Sequence, residues 1–109
     1  MTLTRPFKEL VKERAQRDAA FREALLMEGG DAVLAGDLES AKMALRVFIN
    51  ATIGFDALAS ATGTPAKSLM RMFGSAGNPS ARNLLAVLHE LQRQSGISLQ
   101  AKRLEPLAD

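Results

Sequence analysis

The chain has 109 residues, 47 % hydrophobic and 24 % charged, a size and composition that fit one globular domain and exclude a disordered tail. Its 14 basic and 12 acidic side chains leave a formal charge of only +2, so bulk charge alone does not argue for a nucleic-acid partner. Zero Cys and the single His89 exclude disulfides, thiol catalysis, zinc knuckles, thiolate-held iron–sulfur clusters and multi-His metal sites.

Met1-Thr2-Leu3-Thr4-Arg5-Pro6 lacks the apolar run of a secretion signal, and no stretch approaches the ~18 apolar residues that cross a bilayer. A cytoplasmic protein with no membrane partner is expected, which leaves the Asn50-Ala51-Thr52 glycosylation triplet without meaning. Thr4 is a candidate cap for a first helix, with Pro6 in its first turn and Phe7, Leu10, Val11 and Ala15 at helical spacing to about Gln16. Asp18 can cap a second helix carrying Phe21, Ala24, Leu25, Ala32, Val33 and Leu34. Two glycines cost a helix about 1 kcal/mol each relative to Ala, so a kink or break is expected at Gly29-Gly30. Gly36 past one helix end and Asp37 capping the next open the most clearly periodic segment, Leu38, Ala41, Leu45, Phe48, Ile49 and Thr52, which ends at Gly54.

Three shorter helices follow, over Phe55 to Thr62, Pro65 to Phe73 and Ser80 to about Gln94. Gly63 ends the first, Thr64 can cap the second with Pro65 at its first position, and Gly74 stops it. In Ser75-Ala76-Gly77-Asn78-Pro79 the proline bars helix before Ser80, which caps a helix striped by Leu84, Leu85, Leu88 and Leu91. Beyond Gly96, Ile97, Leu99 and Ala101 alternate with Ser98, Gln100 and Lys102, the pattern of a short strand or extended tail.

Charge is unevenly placed. Residues 1–54 carry eight basic and eight acidic side chains, whereas over 62–103 Lys67, Arg71, Arg82, Arg93, Lys102 and Arg103 face only Glu90, a local excess of five positive charges that attracts phosphate. Within that region, two short helices joined by a Gly-containing turn and followed by a supporting helix have the helix-turn-helix arrangement. Ala59 is small enough for the helices to cross closely, and Gly63, four residues on, reverses the chain with positive φ. Leu58, Leu69, Met72 and Phe73 then point inward, leaving Thr64, Ala66, Lys67, Ser68, Met70 and Arg71 on the outer face and first turn of the second helix. Such a helix enters the major groove, about 12 Å wide, with Lys67 and Arg71 on one face. An ordinary exposed charged face is the competing reading, and Met70 is open between core packing and contact with a thymine methyl.

The run Ile53-Gly54-Phe55-Asp56-Ala57-Leu58-Ala59-Ser60-Ala61-Thr62-Gly63-Thr64-Pro65-Ala66-Lys67-Ser68-Leu69-Met70-Arg71-Met72-Phe73, then Gly77-Asn78-Pro79 and Asn83-Leu84-Leu85-Ala86-Val87-Leu88, resembles the phage-repressor-like helix-turn-helix superfamily. The Gly-Asn-Pro loop, with Arg17-Asp18 and Ala35-Gly36-Asp37-Leu38-Glu39 upstream, resembles one branch of it, the addiction-module antidote proteins, antitoxins of the host-inhibition-of-growth type. The resemblance covers roughly residues 17–103. It implies an all-α fold of five or six helices, a homodimer on a palindromic operator in double-stranded DNA, and a small RNA-cleaving toxin encoded alongside. Leu58, Ala59, Gly63, Leu69 and Phe73 match its structural positions, while Ala66, Lys67, Met70 and Arg71 fall where the family reads bases. Many antidote proteins have a longer polar residue in place of Ala66 and Tyr in place of Met70, so base preference does not carry over.

The expected organisation is one domain over 1–109, with a helical layer over 1–36, a DNA-binding core over 37–95 and a tail over 96–109. Arg82 and the first turn of the Ser80 helix are expected to hold the DNA backbone, because helix N-termini offer free N–H groups to phosphate. The Ser80 helix and the tail Ile97 to Ala101 are the candidate dimer surface. The charge-balanced N-terminal half, with Glu9, Glu13, Glu23, Glu28 and Asp31, is the candidate surface for a small basic toxin. No enzyme, metal or cofactor is expected: His89 reads as a structural side chain, Gly74-Ser75-Ala76-Gly77 misses the nucleophile-elbow pattern, and Gly29-Gly30 lacks the Lys and spacing of a phosphate loop. Two alternatives are a regulator without a toxin and a helical module that binds a partner helix through the stripe on residues 37–52.

Overall fold

Asp18 does the work of two helix boundaries. Its carboxylate accepts the Phe21 N–H at 3.1 Å, capping one helix, while its own N–H closes the preceding one on Arg14 O at 2.9 Å. The result, in a computed structural model describing residues 6–104, is α1 (Phe7–Arg17), α2 (Ala19–Ala35), α3 (Leu38–Ala51), α4 (Phe55–Thr62), α5 (Ala66–Met72) and α6 (Ala81–Ser95), with no strand among the described residues. The all-α class is as expected. Pro6 occupies the cap position of α1 without a side-chain hydrogen bond, and the expected Thr4 cap lies outside the described residues. Arg22 adds a bond across the joint, donating to Ala15 O at 2.9 Å and Gln16 O at 3.1 Å, where α1 leaves carbonyls unpaired.

The break expected at Gly29-Gly30 does not occur; α2 runs through both glycines. The reason is tertiary. A Cβ on Gly29 would lie 2.7 Å from Leu45 Cδ2, and one on Gly30 would lie 3.0 Å from Leu99 Cδ1, so the glycines let α3 and the tail approach the α2 backbone. The helix-propensity loss is offset by this close packing, and α2–α3 is the most extensively packed helix pair. Gly36, at φ +79°, ends α2 in the left-handed region, and Asp37 starts α3 by accepting the Ser40 N–H at 3.2 Å.

Helix α3 stops where Thr52 Oγ1 takes Phe48 O at 2.6 Å, and α4 leaves at 102° to it. No single described helix is long and apolar enough to cross a membrane. The buried faces of α2 to α6 meet in one cluster that includes Leu26, Leu45, Phe48, Ile49, Phe55, Leu58, Leu69, Phe73, Val87, Leu88 and Leu91. Ser80 caps α6 through the Asn83 N–H at 3.1 Å, and Gly96 ends it.

From Ile97 to Leu104 the chain forms neither helix nor strand. Its alternation is real: Ile97 and Leu99 pack against the core, and Leu99 N–H donates to Gln92 Oε1 at 2.8 Å, but the neighbours are helices, which offer no ladder to pair with.

Candidate nucleic-acid interface

Helices α4 and α5 are joined by Thr62 to Pro65. Gly63, at φ +78°, donates its N–H to Ala59 O at 2.8 Å, so the chain reverses where the Ala59/Gly63 spacing puts the turn. Pro65 differs from expectation. It is the cap residue of α5, at φ −57° and ψ 143°, rather than its first helical residue, and Thr64 makes no side-chain cap; its N–H donates to Thr62 Oγ1 at 3.4 Å. With ψ at 143° Pro65 stays outside the helix, so the cap position falls to a residue with no side-chain acceptor.

One side of α5 is anchored by Leu69 and Phe73, both buried, with the Phe73 ring 6.5 Å from that of Phe55. On the other side Lys67 and Arg71 are exposed one turn apart, Met70 is 49 % exposed, and Thr64, Ala66 and Ser68 are half-buried. Four of the outer-face residues divide between two flanks, and Ala66 and Lys67 line neither. Thr64, Ser68 and Arg71 share a groove of about 430 Å³ with Asn78 and Asn83 at the start of α6, and no carboxylate lines it. Met70 lies on the opposite flank, with Arg46, Asn50, Phe55 and Asp56. Hydroxyls, amides and a guanidinium without a competing carboxylate suit an anionic ligand with many acceptor oxygens. Arg82 is exposed on the first turn of α6 but does not line this groove.

The positive excess over 62–103 resolves into one ion pair and five exposed cations. Arg93 is held by Glu90, with Nη2 to Oε2 at 2.7 Å and Nε to Oε1 at 3.2 Å, and Gln94 donates to the same carboxylate at 2.7 Å. The Arg93 bonds, then that of Gln94, keep the Glu90 carboxyl below its ordinary range, and Glu90 raises the Arg93 guanidinium in turn. The exposed cations over α5 and the start of α6 are Lys67, Arg71 and Arg82; Lys102 and Arg103 are exposed on the tail.

Sequence reasoning missed two residues of the site. Lys42, 2 % exposed, reaches from α3 to the loop after α5, where Nζ donates to Gly77 O at 2.8 Å, Gly74 O at 3.0 Å and Ser75 O at 3.3 Å, with Glu39 Oε2 at 3.2 Å. Arg46, one turn on, donates to Phe73 O. A signal existed: Lys42 stands four residues after Leu38 and three before Leu45, in phase with the apolar stripe. A lysine there has to find acceptors or disrupt the core.

The tail part of the expected dimer surface is already used within the chain, since Ile97 and Leu99 pack against the protein's own core. Leu85, 63 % exposed on α6, keeps the other part open. Glu9, Glu23, Glu28 and Asp31 are exposed and Glu13 is half-buried. The stripe on α3 faces inward, with Ala41, Ala44, Leu45, Phe48 and Ile49 all buried. A cleft of about 700 Å³ between the α1–α2 joint, the end of α3 and the end of α6 includes none of the expected DNA-binding residues, though Glu23 of the expected toxin surface and Ile97 of the expected dimer surface line it. No family model, no curated protein and no solved structure matches the chain.

Proposed function

We propose that this chain is a sequence-specific DNA-binding transcriptional regulator of helix-turn-helix type. Helix α5 reads base edges through Lys67, Arg71 and the flanking Thr64, Ala66, Ser68 and Met70, while Arg82 and the first turn of α6 hold the backbone. The observation that carries the reading is the carboxylate-free groove between α5 and α6, next to a short helix that buries Leu69 and Phe73 and leaves Lys67 and Arg71 exposed on its outer side. The competing reading, a module that binds a partner helix through the α3 stripe, is disfavoured because that stripe is consumed by the core.

A single helix contacts only about four or five base pairs, so the regulator acts as a homodimer on a palindromic operator, with exposed Leu85 on α6 in the contact. The resemblance to antidote proteins supports a further role: repression of its own operon and neutralisation of a small basic RNase-type toxin bound by the N-terminal helices. A regulator without a toxin differs only in lacking a toxic neighbouring reading frame, and expressing that frame alone separates the two.

The deciding experiment is gel retardation of the protein's own upstream duplex against a random duplex across a salt series. Affinity is expected to fall steeply with salt on both, and the upstream duplex to be preferred. Arg82→Ala is expected to lower the log–log salt slope by about one unit without changing that preference. Retardation of neither duplex at low salt would overturn the reading.

A further inference from the structure

Helix α5 packs chiefly on α4, and it has seven residues. Its orientation relative to α2 and α3 therefore needs another source. The last carbonyls of a helix lack intrahelical donors and carry the negative end of the backbone dipole, so cations are favoured there. Here the cations come from a different helix: Arg46 takes Phe73 O, and Lys42 takes the carbonyls of Gly74, Ser75 and Gly77 in the loop that follows. The three N–H donors of an ammonium face three carbonyls, and Glu39 balances the charge from the surface, its side chain 73 % exposed. The loop closes tightly around this point, because a Cβ on Gly77 would fall inside the van der Waals contact of Arg71 O and Met72 O.

We propose that Lys42 and Arg46 are positioning residues for the DNA-reading helix, a two-cation clamp by which α3 sets the angle of α5 and of the loop leading into the Asn78/Asn83 side of the groove. This rests on the duplex-reading function above. The clamp does not require either residue to touch DNA: Lys42 is buried, and Arg46 acts through the Nη1 bond to Phe73 O. Loss of the clamp should loosen the end of α5 while α2 and α3, held by their own apolar contacts, stay folded. A loosened α5 keeps its cations near phosphates but misplaces the side chains at base edges, so discrimination suffers before general affinity does.

The test uses the full chain as wild type, Lys42→Met, Arg46→Met and Arg46→Lys. Hydrogen exchange is expected to speed up by about tenfold or more in peptides spanning residues 73–78, with α2 and α3 protection retained. Retardation of the upstream duplex is expected to weaken by about tenfold, with random-duplex affinity and salt slope unchanged, and Arg46→Lys is expected to recover part of the loss. If Lys42→Met does not fold, Arg46→Met, at a half-buried side chain, carries the test. Unchanged exchange at 73–78, or equal losses on both duplexes, overturns the proposal. If the wild type retards no duplex, the DNA reading fails by itself. The clamp is then judged by exchange alone, faster exchange confined to 73–78 supporting it and a uniform or absent change overturning it.

Discussion

Between α2 and α3 the packing is so close that one added carbon on Gly29 would lie 2.7 Å from Leu45 Cδ2. At α5 the arrangement is of another kind: Leu69, Phe73 and half-buried Met72 reach the core and the helix packs on α4, while its C-terminal end and the loop after it are tied by Lys42 and Arg46 on backbone carbonyls. Apolar burial is non-directional and tolerates small rotations, whereas ammonium-to-carbonyl bonds weaken steeply with angle and distance. The α2–α3 pair is thus built for stability, and the α5 end for a defined orientation. The two regions should respond to different perturbations.

The largest effect should come from the anchor they share. Phe73→Ala removes a fully buried ring and is expected to cost about 3–5 kcal/mol in chemical denaturation, with one cooperative transition. Two separated transitions would show that the α5 region does not share the core of α2 and α3.

The glycines sharpen the comparison next. Gly77→Ala pushes a methyl group into the carbonyls of Arg71 and Met72, which belong to backbone and cannot rotate away, so a loss of about 1–3 kcal/mol is expected from the urea midpoint. Gly29→Ala crowds the Leu45 side chain, with Ala44 Cβ at an ordinary 3.7 Å, and gains about 1 kcal/mol of helix propensity, so its net cost should be smaller. The reverse order would mean that the loop around Lys42 is looser than the α2–α3 seam.

Arg71→Ala should leave stability within about 0.5 kcal/mol of wild type, as expected of an exposed position. Its expected cost to duplex affinity is about 1–3 kcal/mol if the guanidinium reads a guanine, with relaxed discrimination at that base. A uniform loss on all duplexes assigns Arg71 to phosphate instead.

The smallest effect is the pH response. Asp18, held low chiefly by the Phe21 N–H, Asp37, held low by the Ser40 hydroxyl and N–H, and Glu90, held low by Arg93 and Gln94, all have folded-state carboxyls below their ordinary range. The unfolded chain then binds protons first on acidification. These groups therefore contribute stability above about pH 4, which is lost as pH falls through their depressed values. Urea midpoints at pH 7 and pH 3 should differ in that direction. A midpoint that rises on acidification would contradict the capping and pairing roles given to them.

Apart from the start of α5, where Pro65 and not Thr64 is the cap residue, the local rules were legible from residue types alone. Asp18, Asp37 and Ser80 cap the helices they were expected to cap, and Gly36, Gly63 and Gly96 end helices with positive φ. Caps and left-handed turns depend on a few neighbouring atoms, so a short window of sequence contains their cause. The inward set of Leu58, Leu69, Met72 and Phe73 was legible for the same reason, because helical period fixes which side chains share a face.

Sequence by itself therefore determined the all-α class, the boundaries of the helices other than α2 to within a few residues, and the exposed pair Lys67 and Arg71 on α5. Tertiary structure alone decided the rest. It kept α2 continuous through Gly29-Gly30, because the approach of Leu45 and Leu99 repays what glycine costs a helix. It turned the alternating tail into a helix-packed strap instead of a strand, because no edge was there to pair with. And it brought Lys42 to carbonyls 32 to 35 residues away, a separation at which no periodicity or capping rule reaches, since what fixes the partner of a buried charge is the acceptor that folding places beside it.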